Sequence, residues 1–128
     1  MGQIQEEILS SLLEPPRVQT NGSVSGRFCF KKEFIGFSGH FPGYPLLPAF
    51  IQIVCAQLLI HQVYPDTLIL ISVEKAKFLA EIHPDDDITI DCMPASGLTR
   101  LEWKVKITSG ILLAASFVMT FKEKSVNP

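Results

Sequence analysis

Apolar residues recur along this chain with two periods. In residues 3–13, Ile4, Ile8, Leu9, Leu12 and Leu13 fall on one helical face and Pro15-Pro16 stop the run, which predicts a short amphipathic helix over 3–13. Asn21-Gly22 is a turn signal. Val24, Gly26, Phe28 and Phe30 then alternate with Ser25, Arg27, Cys29 and Lys31, the period of a strand. Residues 48–63 are apolar nearly all round, with Pro48 at their start and Pro65-Asp66 beyond their end. A proline in the first turn loses no helical hydrogen bond, so a central helix over 48–63 is predicted, and it must be covered on most sides.

After Asp66 the period is two throughout. Residues 68–73 and 76–80 read as one long or bent strand, and His83-Pro84-Asp85-Asp86 as a turn. Ile88, Ile90 and Cys92 alternate with Thr89, Asp91 and Met93, and Ser96-Gly97 turns the chain. Trp103, Val105 and Ile107 oppose Lys104 and Lys106 across a further strand, and Ser109-Gly110 marks a hairpin. Leu113, Ala115, Phe117, Met119 and Phe121 share one face of a last strand. The plan is α+β, and a single antiparallel sheet of five or more strands can bury such a helix only by curling around it. With 128 residues and no repeat or linker, the prediction is one domain spanning 1–128.

Composition narrows the function classes. Hydrophobic residues make up 47% and charged residues 19%, enough for a packed core. A net charge of −2 with no basic block argues against nucleic acid as the main partner. The central apolar run carries Gln52, Gln57 and His61 and is shorter than the ~20 residues a membrane span needs, so no span is expected. Cys29, Cys55 and Cys92 are odd in number and widely spaced, without metal-type spacing, which predicts reduced, buried thiols. With an acidic N-terminus lacking signal-peptide charges, a cytoplasmic location is expected. Asp85-Asp86-Asp87 lacks the alternating ligands and closing Glu of a calcium loop; a solvated turn is expected, and no metal or other cofactor.

Between residues 34 and 65 there is no Asp, Glu, Lys or Arg, so His40 and His61 are the acid–base candidates there. His61 suits the negative end of the helix dipole, and His83 reads as an exposed turn residue. His40 lies in a turn of prolines and glycines that leads into the apolar helix. A titratable ring at the mouth of a buried helix suits proton chemistry on an apolar substrate; a turn histidine bonded to backbone is the plain alternative.

The segment His40-Phe41-Pro42-Gly43-Tyr44-Pro45-Leu46-Leu47-Pro48 resembles the signature of the 3-hydroxyacyl-[acyl-carrier-protein] dehydratases of the FabZ/FabA type. Glu74-Lys75-Ala76-Lys77-Phe78, followed by Ile82-His83-Pro84-Asp85-Asp86, is similar to that family's second conserved strand and turn. The resemblance covers roughly residues 24–121. It implies the hot-dog fold, a homodimer or higher even oligomer with its site at the subunit interface, and an acyl carrier protein or coenzyme A thioester as partner. His40 takes the catalytic histidine's place. The amides of Ala49 and Phe50 take that of the carbonyl anchor, and Phe41, Gly43, Tyr44, Leu47, Ala49, Phe50, Val54 and Gln57 the substrate-binding places. The family's helix carboxylate falls fourteen residues after the histidine, where this chain has Val54. Gln57, one turn further on, is the nearest polar replacement. It can orient a water or bind the thioester but cannot act as an acid. Ala49 replaces the family's usual glycine, which narrows the pocket and keeps the N–H.

The implied function is dehydration of a 3-hydroxyacyl thioester in fatty acid or polyketide or aryl-polyene-type synthesis. An acyl thioesterase, and a non-catalytic binding module of an acyl-carrier pathway, are the alternatives. Lys31, Lys32, Lys75 and Lys77 suit either a basic rim for an acidic carrier or ordinary edge-strand protection. Gln52 and Gln57 are expected to satisfy polar groups at a subunit contact.

Overall fold

The computed structural model describes residues 2–37, 43–64, 68–95 and 100–124. Two helices, α1 (Gln3–Ser10) and α2 (Ala49–Val63), accompany six strands: β1 (Arg17–Val18), β2 (Val24–Cys29), β3 (Leu68–Phe78), β4 (Asp87–Pro94), β5 (Glu102–Ser109) and β6 (Leu112–Glu123). The strands form one sheet in the order β1-β2-β4-β5-β6-β3, every pair antiparallel. The sheet curls around α2, as an all-round apolar helix requires. The turns expected at Pro65-Asp66 and Ser96-Gly97 lie outside the described residues.

The alternation in β2, β4 and β5 matches burial. Val24, Gly26 and Phe28 face inward, as do Ile88, Ile90 and Cys92, and Trp103, Val105 and Ile107. Their registers stack these residues in rows, with Gly26 opposite Ile90 and Ile90 opposite Ile107. Gly26 has a packing reason. A Cβ there would come within 2.5 Å of Leu59 Cδ2, so glycine lets β2 and α2 approach closely. Leu59 itself is fully buried.

Three expectations need correction. The first helix ends at Ser10, not at 13. From Ser11 the chain is drawn onto the edge of β2, where Cys29 N donates to Ser11 O at 3.1 Å and Leu13 N to Arg27 O at 2.9 Å. Those sheet bonds replace the helical ones. The central helix begins at Ala49, with Pro48 as an extended N-cap whose carbonyl accepts the first helical bond, from Gln52 N. On β6, Leu113 is exposed while Ala114 and Ala115 are both buried, because the β5–β6 register slips between Ile107 and Thr108. β1 was not foreseen: both its residues are exposed, so no alternation marks it.

β3 is one strand, bent by a bulge between Glu74 and Lys77 where Lys75 takes φ 53°. It pairs only with β6, so its other edge is unpaired among the described residues. Ile69 and Ile71, 54% exposed for the latter, lie along it. The sheet also separates the four lysines. Lys31 and Lys32 follow β2, and Lys31 pairs with Asp85 at 3.4 Å, while Lys75 and Lys77 lie on β3, with three strands between them.

Cys55 on α2 and Cys92 on β4 are buried, and burial pushes both thiols well above the ordinary 9.0. Folding therefore favours their neutral forms. Their stabilising contribution is complete below pH 9 and declines above it as the unfolded thiols ionise, approaching ~1.4 kcal/mol per thiol per pH unit. Cys29 is part-exposed. A colorimetric thiol reagent at pH 8 is expected to label Cys29 alone in the native protein, and all three cysteines in denaturant. Fast labelling of Cys55 or Cys92 would contradict this packing.

Candidate functional site

The turn before α2 is held from two sides. Gly43 takes φ 83°, a conformation that favours glycine, and no neighbour lies within 4 Å of a Cβ there. Its glycine therefore serves backbone shape rather than space. Leu47 N donates to Ile82 O at 2.8 Å, and Leu47 O accepts from Gln52 Nε2 at 3.1 Å. One residue thus has its backbone tied both to the β3–β4 connection and to α2.

A second tie lies further out. Tyr44 Oη donates to Glu81 Oε1 at 2.6 Å, and its ring packs edgewise on His83 with centroids 5.6 Å apart. His83 Nε2 lies 3.4 Å from Glu81 Oε1 and 3.4 Å from Tyr44 Oη. The Glu81 carboxylate, by accepting the phenol's proton in a hydrogen bond, pushes the Tyr44 hydroxyl above its usual 10.0. Asp86 Oδ2 accepts from His83 N at 2.8 Å and shapes the turn. The neighbouring aspartates serve separate pairs, Asp85 with Lys31 and Asp87 with Arg27 at 2.6 Å. The turn is thus a set of structural contacts.

Between the start of α2 and residues 78–82 lies a cavity of about 240 Å³, bordered by Leu47, Ala49, Gln52, Phe78 and Glu81 among others. No side chain caps α2. The amides of Ala49, Phe50 and Ile51 precede the first helical bond, so they are donors without helical partners. Beside them Gln52 is 4% exposed, and it is the one buried polar side chain among the described residues. Its Oε1 is shielded from solvent and has no partner among them. An unpaired buried acceptor costs ~1–3 kcal/mol.

The expected site residues divide into three groups. His40 and Phe41 lie outside the described residues. Leu47 and Ala49 border the cavity, whereas Gly43 and Tyr44 do not line it and Tyr44 only bonds Glu81, which does. Phe50, 57% exposed, lies with half-buried Val54 and Gln57 on a different stripe of α2, one that the sheet leaves uncovered. None of these three borders the cavity. Gln52, expected at a subunit contact, instead faces the chain's own core and bonds Leu47. Glu81 was not foreseen, and His83 is part-exposed and bound into the cluster with it. Tyr44 and Glu81 stand 37 positions apart, and no local pattern announces such a pair. For Gln52 there was a signal: an amide at a position that helical spacing places with Ile51, Cys55 and Leu59, on the buried side.

A family model for ApeI-like proteins, described as ApeI dehydratase, matches residues 16–116. The chain belongs to the ApeI-like dehydratase family. Solved structures agree in fold. One is the dehydratase heterocomplex ApeI:P from Xenorhabdus doucetiae, 15% identical, with TM-score 0.77 over 87% of this chain and 96% of that one. An uncharacterized protein from Erwinia carotovora subsp. atroseptica is 21% identical, with TM-score 0.67 over 86% and 91%. The candidate thioesterase yhdA from Lactococcus lactis is 12% identical, with TM-score 0.68 over 98% and 100%. No curated protein matches the sequence. The fold is the hot-dog fold, as the motif resemblance implied, and the family is the ApeI-like one. Among the described residues no helix is long and apolar enough to cross a membrane.

The Tyr44–Glu81 contact is open to measurement. The chain has two tyrosines, so Tyr44→Phe identifies the Tyr44 transition in an ultraviolet pH titration. Glu81→Gln removes the carboxylate that opposes the phenolate and is expected to lower the Tyr44 midpoint toward 10.0. An unchanged midpoint would show that the hydrogen bond does not persist in solution.

Proposed function

We propose that this chain is a cytoplasmic acyl-thioester dehydratase-like protein, acting on a 3-hydroxyacyl group carried by an acyl carrier protein or coenzyme A. Membership of the ApeI-like family supports the reaction class. The observation that carries the site is the doubly tied turn, which fixes the described end of the motif, residues 43–48, at the free amides that start α2. In this reading those amides polarise the thioester carbonyl. His40 removes a proton from the carbon next to it. The C3–O bond breaks as the C2–C3 double bond forms, and the same proton returns on the leaving hydroxyl, which departs as water. This is FabZ/FabA-type chemistry with one group doing both transfers. The absence of a carboxylate at Val54 costs a factor of about 10²–10⁴.

The reading includes a dimer. Its supports are the unpaired edge of β3 with Ile69 and Ile71, and the uncovered stripe of Phe50, Val54 and Gln57. A second copy covering them would bring Val54 to the partner's turn. Val54 also favours a second reading, in which the partner is a different hot-dog chain that contributes the carboxylate. A likeness in fold to a dehydratase heterocomplex is compatible with it.

His40→Ala is expected to lower dehydration of a 3-hydroxyacyl thioester by about 10²–10⁴, and Val54→Glu to raise it by a similar factor. Each is read from the 3-hydroxyacyl and enoyl forms by chromatography, beside hydrolysis of a saturated acyl thioester. If His40→Ala leaves both reactions unchanged, the dehydratase and thioesterase readings fail together and the binding module stands. A silent Val54→Glu in a confirmed homodimer favours the mixed pair. Light scattering is expected to give a dimer that Ile71→Lys dissociates; an active monomer would overturn the shared site.

A further inference from the structure

Gln52 does half of what a buried amide normally does. Buried polar groups are bonded at nearly every atom, since each unpaired one forfeits its hydration without return. Nε2 is satisfied by Leu47 O at 3.1 Å, while Oε1 has no partner among the described residues. The residue is 4% exposed and borders the cavity at the head of α2.

The neighbours define what would satisfy it. Ala49, three residues earlier and one turn up the same helix, borders the same cavity, and its amide is a donor without a helical partner. The cavity is therefore bordered by a donor-bearing and an acceptor-bearing residue of one helix. Glu81, at its wall, already accepts from Tyr44, and its charge disfavours an anion there. Leu46, Phe78, Leu79 and Ile82 supply the remaining apolar lining. The complementary ligand is neutral, with an acceptor and a donor a few atoms apart on an apolar chain. A 3-hydroxyacyl thioester has that pattern: a carbonyl oxygen at C1 and a hydroxyl at C3.

We propose that Gln52 Oε1 accepts a hydrogen bond from the substrate's 3-hydroxyl while the carbonyl rests on the Ala49 amide at the head of α2. Gln52 is then the residue that distinguishes 3-hydroxyacyl from unsubstituted acyl chains. It is a specificity residue and transfers no proton. The inference rests on the acyl-thioester reading above and names the feature of the substrate that the cavity recognises.

The test uses the full-length protein and three pantetheine amides, which neither dehydrate nor hydrolyse: 3-hydroxyhexanoyl, hexanoyl and 3-oxohexanoyl. By calorimetry the wild type is expected to bind the 3-hydroxy compound about tenfold more tightly than either of the others, one neutral hydrogen bond's worth. The 3-oxo compound presents an acceptor to an acceptor and gains nothing. In Gln52→Met, of similar volume, the preference is expected to fall to about one, with hexanoyl affinity within roughly twofold of wild type. Loosening of the Leu47 turn alone would weaken all three ligands alike and leave the ratio intact, and that result overturns the assignment. So does a wild type that binds all three equally, a comparison that needs no variant to fold. If the wild type binds none of them, the acyl-thioester reading falls and this inference with it.

Discussion

The burial of α2 against a single sheet governs the rest of this structure. A helix without a polar face cannot rest on the outside of a domain, and one sheet can cover it only by curling. Ile51, Cys55, Leu59 and Ile60 are buried against inward rows from β2, β4 and β5, and Gly26 removes the side chain that would hold β2 away. The cover is still incomplete. A sheet wraps a helix from one side, and the stripe of Phe50, Val54 and Gln57 is what it leaves. Open stripe and bare β3 edge are two results of the same geometry: one layer of strands around one helix.

That geometry also sets the chemistry of the helix's head. A charged or polar cap would be the usual remedy for free amides at a helix start. Here the preceding residue is Pro48, which offers no such side chain, and stability at that end comes from Leu47, bonded on both sides. The amides are left available because the turn is secured by other means. Gln52 serves both ends of this arrangement, donating to the turn and presenting its oxygen among apolar neighbours.

Much of the fold was legible because burial in a curled sheet imposes clean periods. Trp103-Val105-Ile107 and Ile88-Ile90-Cys92 alternate as they do because one side of each strand meets the core. Legibility failed where that relation broke: at β1, exposed on both faces; at 11–13, where bonds to β2 competed with helical ones; and at Leu113, displaced by a register slip. The site was legible only in its motif. His40 announces a chemistry through its surrounding prolines and glycines, but its placement is beyond the described residues. Glu81 reaches Tyr44 through the tertiary fold, a contact that no spacing encodes. The apolar run around Gln52 announces burial, while what its two amide ends meet depends on the turn and the cavity.

The strand order has a consequence for how the molecule is made. β4, β5 and β6 form a meander of sequential neighbours, yet β3, which precedes them in the chain, pairs beyond them, Leu68 with Glu123 and Phe78 with Ala115. On a ribosome β3 emerges well before its only partner among the described strands. Long-range pairings of this kind slow folding and prolong exposure of sticky surface. Until β6 arrives, an eleven-residue strand and one flank of the central helix are both bare. The charges of Glu74, Lys75 and Lys77 are on the strand before it has any partner, and they disfavour pairing with another nascent chain. The stretch where the finished strand bends thus protects the unfinished one during synthesis.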